Sequence, residues 1–319
     1  AGSGKTRVVT FRIAHLLELG IHPADILAVT FTNKAAEEMR NRIRTLKNAQ
    51  ILACTFHSLG ARILRESIQA LGYRPDFTIY DQEDSEKLLK GCLELMQTQN
   101  NKQLLQQMKS AISSAKNDLI LPDAIPDPLT REAFQLYQEK LKACNALDFD
   151  DLLYLPVRLF QEHPEIKLEY QNRWLFILID EYQDTNAAQY TLAKILVAKH
   201  QNIFAVGDPD QSIYSWRGAR YQNILNFESD FAGAKVITLD QNYRSTNRIL
   251  QAANALIRNN EVRYDKQLWS NLGEGEKVGI YTGQNERDEA QFVTRKIHNH
   301  IANDGIDYHD IAIFYRTNA

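Results

Sequence analysis

At 319 residues, with 44% apolar and 24% charged side chains, the chain has the length of about two domains and an ordinary globular composition. Its longest unbroken apolar run, Trp174 to Ile179, is too short to span a membrane, and no signal peptide is read at its start. A net charge of −3 excludes a global basic field, though not a basic groove, and the dispersed Cys54, Cys92 and Cys144 read as reduced core residues of a cytoplasmic protein.

Ala1-Gly2-Ser3-Gly4-Lys5-Thr6 has the ending of a phosphate-binding loop. Glycines let backbone N–H groups turn inward around phosphates, a lysine reaches the β- and γ-phosphates, and the Thr6 hydroxyl is placed to ligate Mg²⁺. Val8, Val9, Phe11, Ile13, Leu16 and Leu17 predict a helix that begins at the loop, which puts the phosphates at a helix N-terminus. The competing reading is a flexible Gly-Ser terminus. The small residue and the strand that normally precede such a loop are not in the sequence, so the chain is expected to begin inside its own phosphate loop.

Strand-like runs at 26–31 and 51–55 are each followed by helical periodicity, to about Leu46 with Thr32 or Asn33 as cap, and to Leu71. This alternation predicts a parallel sheet with helices on both faces. Phe31, Phe56 and His57 fall at strand ends, where an aromatic side chain is more often core than ligand contact. From Asp81 to Ala146 no strand-like run appears. Three helical patterns, around Leu88 to Met96, Leu104 to Ile112 and Phe134 to Leu141, predict an all-helical insertion, with the Gln-rich patch 97–107 as a solvated helix face. Asp148, Asp150 and Asp151 then form an acidic cluster, readable as a second metal site or, better, as acids at a helix N-terminus.

The chain is organised around Trp174-Leu175-Phe176-Ile177-Leu178-Ile179-Asp180-Glu181. A continuous apolar run reads as a strand buried on both faces, and carboxylates at its C-terminal end lie where α/β sheets bind ligands. Asp180 is placed to hold Mg²⁺ and Glu181 to orient and deprotonate a water; the alternative is a solvated acidic turn. A helix over 186–198 and a strand over 203–206 follow. In the loop 207–218, Gln211, Tyr214, Trp216 and Arg217 crowd together. Aromatic rings interleaved with arginine suit single-stranded nucleic acid, unless the rings merely hold the loop down. Further strands are predicted over 235–239, 278–281 and 311–315, with helices from Ser245 to Ile257 and from about Asp288 to Ala302.

The order of these motifs resembles the UvrD/PcrA/Rep family of superfamily 1 DNA helicases over the whole chain. Gly2-Ser3-Gly4-Lys5-Thr6, Thr30 to Ala36, Thr55-Phe56-His57-Ser58, Asp148 to Leu152, Asp180 to Asp184, Gly207 to Tyr214, Gln241-Asn242-Tyr243-Arg244-Ser245 and Arg316 to Ala319 carry the resemblance. The first sets are shared with many nucleotide hydrolases, whereas Gln211-Ser212-Ile213-Tyr214 and Asn242-Tyr243-Arg244-Ser245 are more specific. The resemblance implies an α/β, RecA-like P-loop NTPase fold: a first motor domain over 1–80 and 147–243, a helical insertion over 81–146, and the beginning of a second RecA-like domain over 244–319. It implies ATP with Mg²⁺, 3′-to-5′ translocation on single-stranded DNA, unwinding at junctions with duplex, work in repair or replication, and no membrane partner.

By the same resemblance, Gly2, Ser3, Gly4, Lys5 and Thr6 hold phosphates, with Lys5 also catalytic, and Arg7 and Tyr243 sandwich adenine. Asp180 and Thr6 hold Mg²⁺, Glu181 is the base, and Gln211 and Arg244 contact the γ-phosphate. Phe31, Thr32, Asn33, Thr55, Phe56, His57, Tyr214, Trp216 and Arg217 are implied DNA contacts, joined by Arg316 and Asn318. The family's adenine-reading glutamine would precede Ala1 and its last two motifs would follow Ala319, so this stretch alone is expected not to separate strands. A P-loop kinase, a DNA-binding module with an inactive nucleotide site, and a helicase-nuclease subunit of the RecB kind remain as alternatives.

Overall fold

The computed structural model describes residues 1–98, 101–260, 264 and 266–315; the side chain of Arg217, and Arg316 and Asn318, expected to touch DNA, lie outside that description. Helix α1 (Lys5–Glu18) leads through a short turn to strand β1 (Ile26–Thr30), helix α2 (Asn33–Lys47), strand β2 (Leu52–Thr55) and helix α3 (Phe56–Ser67). A two-residue strand β3 (Thr78–Ile79) precedes three helices, α4 (Gln82–Leu95), α5 (Lys102–Asn117) and α6 (Pro128–Ala143). Strand β4 (Ala146–Leu147), helices α7 (Asp151–Glu162) and α8 (Pro164–Arg173), strand β5 (Phe176–Ile179), helix α9 (Ala187–Val197) and strand β6 (Ile203–Ala205) complete the α/β part. Two single-turn helices, α10 (Gln222–Leu225) and α11 (Phe227–Asp230), and two longer ones, α12 (Asn247–Ile257) and α13 (Glu286–Asp304), follow.

The main sheet is parallel throughout, in the order β2-β1-β5-β6, with Ala28 aligned on Ala53 to one side and on Leu178 to the other. Successive β1 side chains point to opposite faces. Ile26 and Ala28 enter a core with Val9, Ile13, Met39 and Ile43 from α1 and α2, while Leu27 and Val29 enter one with Phe56, Val157 and Leu192 from α3, α7 and α9. Burial on both faces is why the strand is apolar without alternation. Its C-terminal edge carries Phe31, Asp180 and the turn after β6, so the sheet brings those distant segments together.

Residues 82–143 form three helices, as their periodicity predicts, with a core of Leu89, Leu93, Met108, Ile112, Phe134 and Leu141. They are flanked by β3 and β4, paired in parallel at Thr78–Ala146 and Ile79–Leu147. Two residues give too short a period for a strand signal.

The structure corrects four sequence expectations. No strand forms over 235–239, 278–281 or 311–315; among the described residues this part of the chain contributes one isolated bridge, Gln241 to Trp269. An apolar run becomes a strand only when a neighbour takes its N–H and C=O groups, and Ile237, Ile280 and Phe314 stay exposed without one. The N-cap of α12 is Thr246, not Ser245. Cys144 is exposed, unlike the buried Cys92 and half-buried Cys54. Phe56, expected to touch DNA, is 3% exposed inside the core under α3, because the first residue of that helix turns onto the sheet.

Candidate functional site

Gly2 and Gly4 both take left-handed backbone, at φ 82° and 81°, and Gly4 caps α1 without any side-chain bond to its first N–H groups. The start of α1 therefore keeps unpaired donors and the positive end of its dipole, with no acidic residue in the first turn to neutralise it. A Cβ on Gly2 would lie 2.7 Å from Arg244 Cβ and 2.8 Å from Asn242 Nδ2, so only glycine fits under the segment that crosses it. That segment straps the loop. Tyr243 N–H donates to Gly2 O at 2.9 Å and Asn242 Nδ2 to Ala1 O at 2.5 Å, while Asn242 Oδ1 accepts the N–H groups of Arg244 and Ser245, both at 2.8 Å. Arg244 is thereby placed beside the loop. Tyr243 is exposed, its hydroxyl donating to Gln241 Oε1, and the exposed Arg7 guanidinium lies 5.4 Å from the Phe11 ring.

Strand β5 delivers Asp180, which is buried, and Glu181, which sits in the left-handed region at φ 54°. A non-glycine residue held there stores strain, and here the strain turns two consecutive carboxylates out of one strand end. Burial raises the Asp180 carboxyl above its usual range; the Thr6 hydroxyl, which hydrogen-bonds it, works against that. A buried carboxylate touching a hydroxyl of the phosphate loop is a donor pair that fits a hard divalent cation.

Gln183, to which sequence reasoning gave no role, is the brace of this group. Its Nε2 donates to Glu181 Oε2 at 3.0 Å and Asp184 Oδ2 at 3.1 Å, and its Oε1 accepts the Asp208 N–H at 2.9 Å. The approach is close enough that a Cβ on Gly207 would meet Gln183 Oε1 at 2.5 Å. Lys5 Nζ reaches Gln211 Oε1 at 3.4 Å.

Burial, then the charge of Glu181, pushes the Asp184 carboxyl up to about 6. Because the folded value exceeds the ~3.9 of a free aspartate, the stability tied to this proton is full at low pH and is lost as pH rises through about 6. Asp184→Asn should flatten that part of the stability-versus-pH curve. Unchanged pH dependence of the melting temperature between pH 4 and 7 would show that Asp184 titrates normally.

The aromatic loop folds back on the sheet edge. The Phe31 and Tyr214 rings stack at 5.1 Å and 19°, and Tyr214 and Trp216 meet at 6.4 Å and 51°. Trp216 remains 70% exposed. On the adjoining strand end His57 stacks on Phe149 at 4.0 Å, and Phe149 is largely exposed. Phe149 was read in the sequence only as part of an acidic helix start. Thr32 and Thr55 have local duties: each side chain accepts a backbone N–H as helix cap, from Ala35 and Ser58, and Asn33 opens α2 beside them, exposed. In the acidic cluster Asp148 and Asp151 pair with the buried Lys116, and among the described residues no group of three metal-ligating side chains is found.

A phosphate loop facing paired carboxylates across a parallel sheet, with an aromatic shelf on the neighbouring strand ends, defines the class, and the comparison with known proteins gives the family. The chain belongs to the UvrD/REP helicase family: residues 1–232 match the UvrD/REP helicase N-terminal domain and residues 237–319 the UvrD-like helicase C-terminal domain. Among its relatives, the ATP-dependent DNA helicase PcrA of Staphylococcus aureus (strain Mu50) is 47% identical over 330 aligned residues, covering 100% of this chain and 45% of the relative. The proteins of the same name from Bacillus subtilis (strain 168) and Leuconostoc citreum are 46% and 44% identical, again over 100% of this chain and over 45% and 44% of their own lengths. The chain thus spans under half the length of these relatives. No helix among the described residues is long and apolar enough to cross a membrane.

Proposed function

We propose that this chain forms the nucleotide site and part of the DNA track of an ATP-dependent, 3′-to-5′ single-stranded DNA translocase that unwinds duplex from a junction, in the cytoplasm, in repair or replication. The observation that carries the reading is a single loop with two faces. Gln211 meets Lys5 of the phosphate loop, and Tyr214, three residues on, stacks on Phe31 at the edge of the aromatic shelf. Residues 1–80 and 147–243 act as the first motor domain, 81–146 as its insertion and 244–319 as part of the second.

Magnesium-bound ATP supplies the phosphoryl group whose transfer to water drives the cycle. Lys5 and the N–H groups at the start of α1 bind its phosphates, with Gly2, Ser3 and Gly4 giving the backbone room to approach. The Thr6 hydroxyl and the Asp180 carboxylate would hold Mg²⁺. Glu181 accepts the proton of the attacking water, steadied by Gln183 on one carboxylate oxygen. Gln211 and Arg244 would contact the terminal phosphate, and Arg7 and Tyr243 would flank the base. On the DNA side, Phe31, His57, Phe149, Tyr214 and Trp216 offer ring faces, and stacking on such faces is sequence-tolerant; Thr32, Asn33 and Thr55 line the same strand ends.

The test is single-strand binding by the full protein. Trp216→Ala should weaken affinity for oligo-dT by about 5- to 150-fold, the worth of one stacked base, and leave nucleotide binding nearly intact. If oligo-dT affinity does not change, Trp216 is a surface packing residue and the shelf is not the track.

A further inference from the structure

We infer that Lys266 is a positioning residue for Gln211: through Asp208 it sets the orientation of the Gln211 amide and so lets the C-terminal part of the chain control the nucleotide side of the two-faced loop. The inference rests on the proposed role of Gln211. Lys266 lies in the stretch after α12 and is half-buried. Its Nζ pairs with Asp208 Oδ1 and, at 3.3 Å, with Asp210 Oδ2. Asn260, just past the same helix, donates from Nδ2 to Asp210 Oδ1 at 3.0 Å. Two side chains from one segment thus clasp both carboxylates of the turn Asp208-Pro209-Asp210-Gln211.

The second oxygen of Asp208 accepts the Gln211 Nε2. A primary amide has one donor end and one acceptor end, and an ionised carboxylate takes only the donor end. With Nε2 held by Asp208, Oε1 must face the other way, and there it meets Lys5 Nζ at 3.4 Å. The arrangement depends on Asp208 being an anion in a buried place. Burial alone would raise its carboxyl; Lys266, then Lys5 and Gln211, hold it below the usual carboxylate range. Without Lys266 the buried Asp208 carboxyl would take up a proton and lose its hold on the amide. That disorders Gln211 without touching the carboxylates that act on water.

Because Lys266 acts through another residue, its effect must vanish when that residue is absent. In the full protein, with saturating oligo-dT, Lys266→Met should lower kcat for ATP hydrolysis about tenfold and leave the affinity for a fluorescent ADP within about twofold, while Lys266→Arg, which keeps the charge, stays within about threefold. In a Gln211→Ala background, Lys266→Met should then cost less than about twofold more. Losses that multiply in the double variant, or an unchanged kcat in Lys266→Met, would overturn the inference. If Gln211→Ala alone leaves kcat unchanged, the role of Gln211 fails and this inference with it. Asp208→Asn, nearly isosteric, carries the same double-variant test should Lys266→Met fail to fold.

Discussion

Glu181→Gln in the full protein should cut ATP turnover by about 10²- to 10⁴-fold, the usual worth of a general base, while nucleotide affinity stays close to wild type. The two effects separate because they rest on different groups. In the proposed site phosphate binding falls to Lys5, the N–H groups at the start of α1, which take no side-chain cap, and the Thr6–Asp180 pair. The Glu181 carboxylate is not among them: its Oε2 is held by Gln183 at 3.0 Å, and what Glu181 gives Asp180 is its backbone N–H, 3.0 Å from Oδ1, which glutamine keeps. Glutamine keeps the volume and can still bond to Gln183, but it cannot take a proton from water. Single-turnover hydrolysis beside equilibrium binding of a fluorescent nucleotide measures both quantities. Turnover within threefold of wild type would remove Glu181 from the role of base. The same substitution deletes the charge that helps raise Asp184, so the Asp184 titration should move down in the variant, a readout independent of catalysis.

What could be read in the sequence was whatever has a local signature. β1 and β5 are continuous apolar runs because both faces are covered, and that run needs no knowledge of the neighbours. Thr32 and Asn186 mark helix starts because a cap bonds three residues ahead, to Ala35 and Gln189. The phosphate loop and the carboxylate pair are also short-range patterns. What could not be read are partnerships across long separations. Lys266 and Asp208 are 58 residues apart, and Lys116 and Asp148 are 32 apart; each lysine looks like any surface lysine until the fold buries it. The run 235–239 fails for the converse reason. Its local pattern is that of a strand, but strand formation depends on a lateral partner that periodicity cannot show. Phe56 fails by one residue of rotation: at the junction of β2 and α3, the side that faces the core is decided by the helix, not by the strand.

Lys116→Met should destabilise the folded protein by about 3–5 kcal/mol, the range found when one partner of a buried ion pair is removed. Lys116, near the end of α5 in the insertion, has no exposed surface, and its Nζ lies 2.7 Å from Asp148 Oδ2 and 2.8 Å from Asp151 Oδ1 at the start of α7. Burial alone would lower its pKa; the two carboxylates outweigh that and raise it. The lysine's own titration therefore takes nothing from the pair below the ~10.4 of a free lysine; on the acid side the limit is set by Asp151, whose carboxyl burial and then Asp148 push up to about 7. The acids have a second duty: Asp148 Oδ1 accepts the Asp151 N–H at 2.8 Å, and Asp151 Oδ2 accepts the Asp148 N–H at 3.1 Å, so the cluster also caps α7. Removing the ammonium leaves two buried carboxylates facing each other in the cap. Next along α5, Asn117 donates to Asp150 at 2.9 Å and accepts from Asn186 at 2.5 Å, where α9 begins just after Asp180 and Glu181. Helix α5 is thus fastened at the foot of the proposed site. The destabilisation should be much smaller when Asp148→Asn and Asp151→Asn accompany Lys116→Met, because the stranded charges go with their partner. Urea unfolding of wild type, Lys116→Met and the triple variant at pH 7.5 makes the comparison. A Lys116→Met stability within about 1 kcal/mol of wild type, the scale of an ordinary surface pair, would show that the ammonium is solvated and that the insertion is held by its apolar contacts alone.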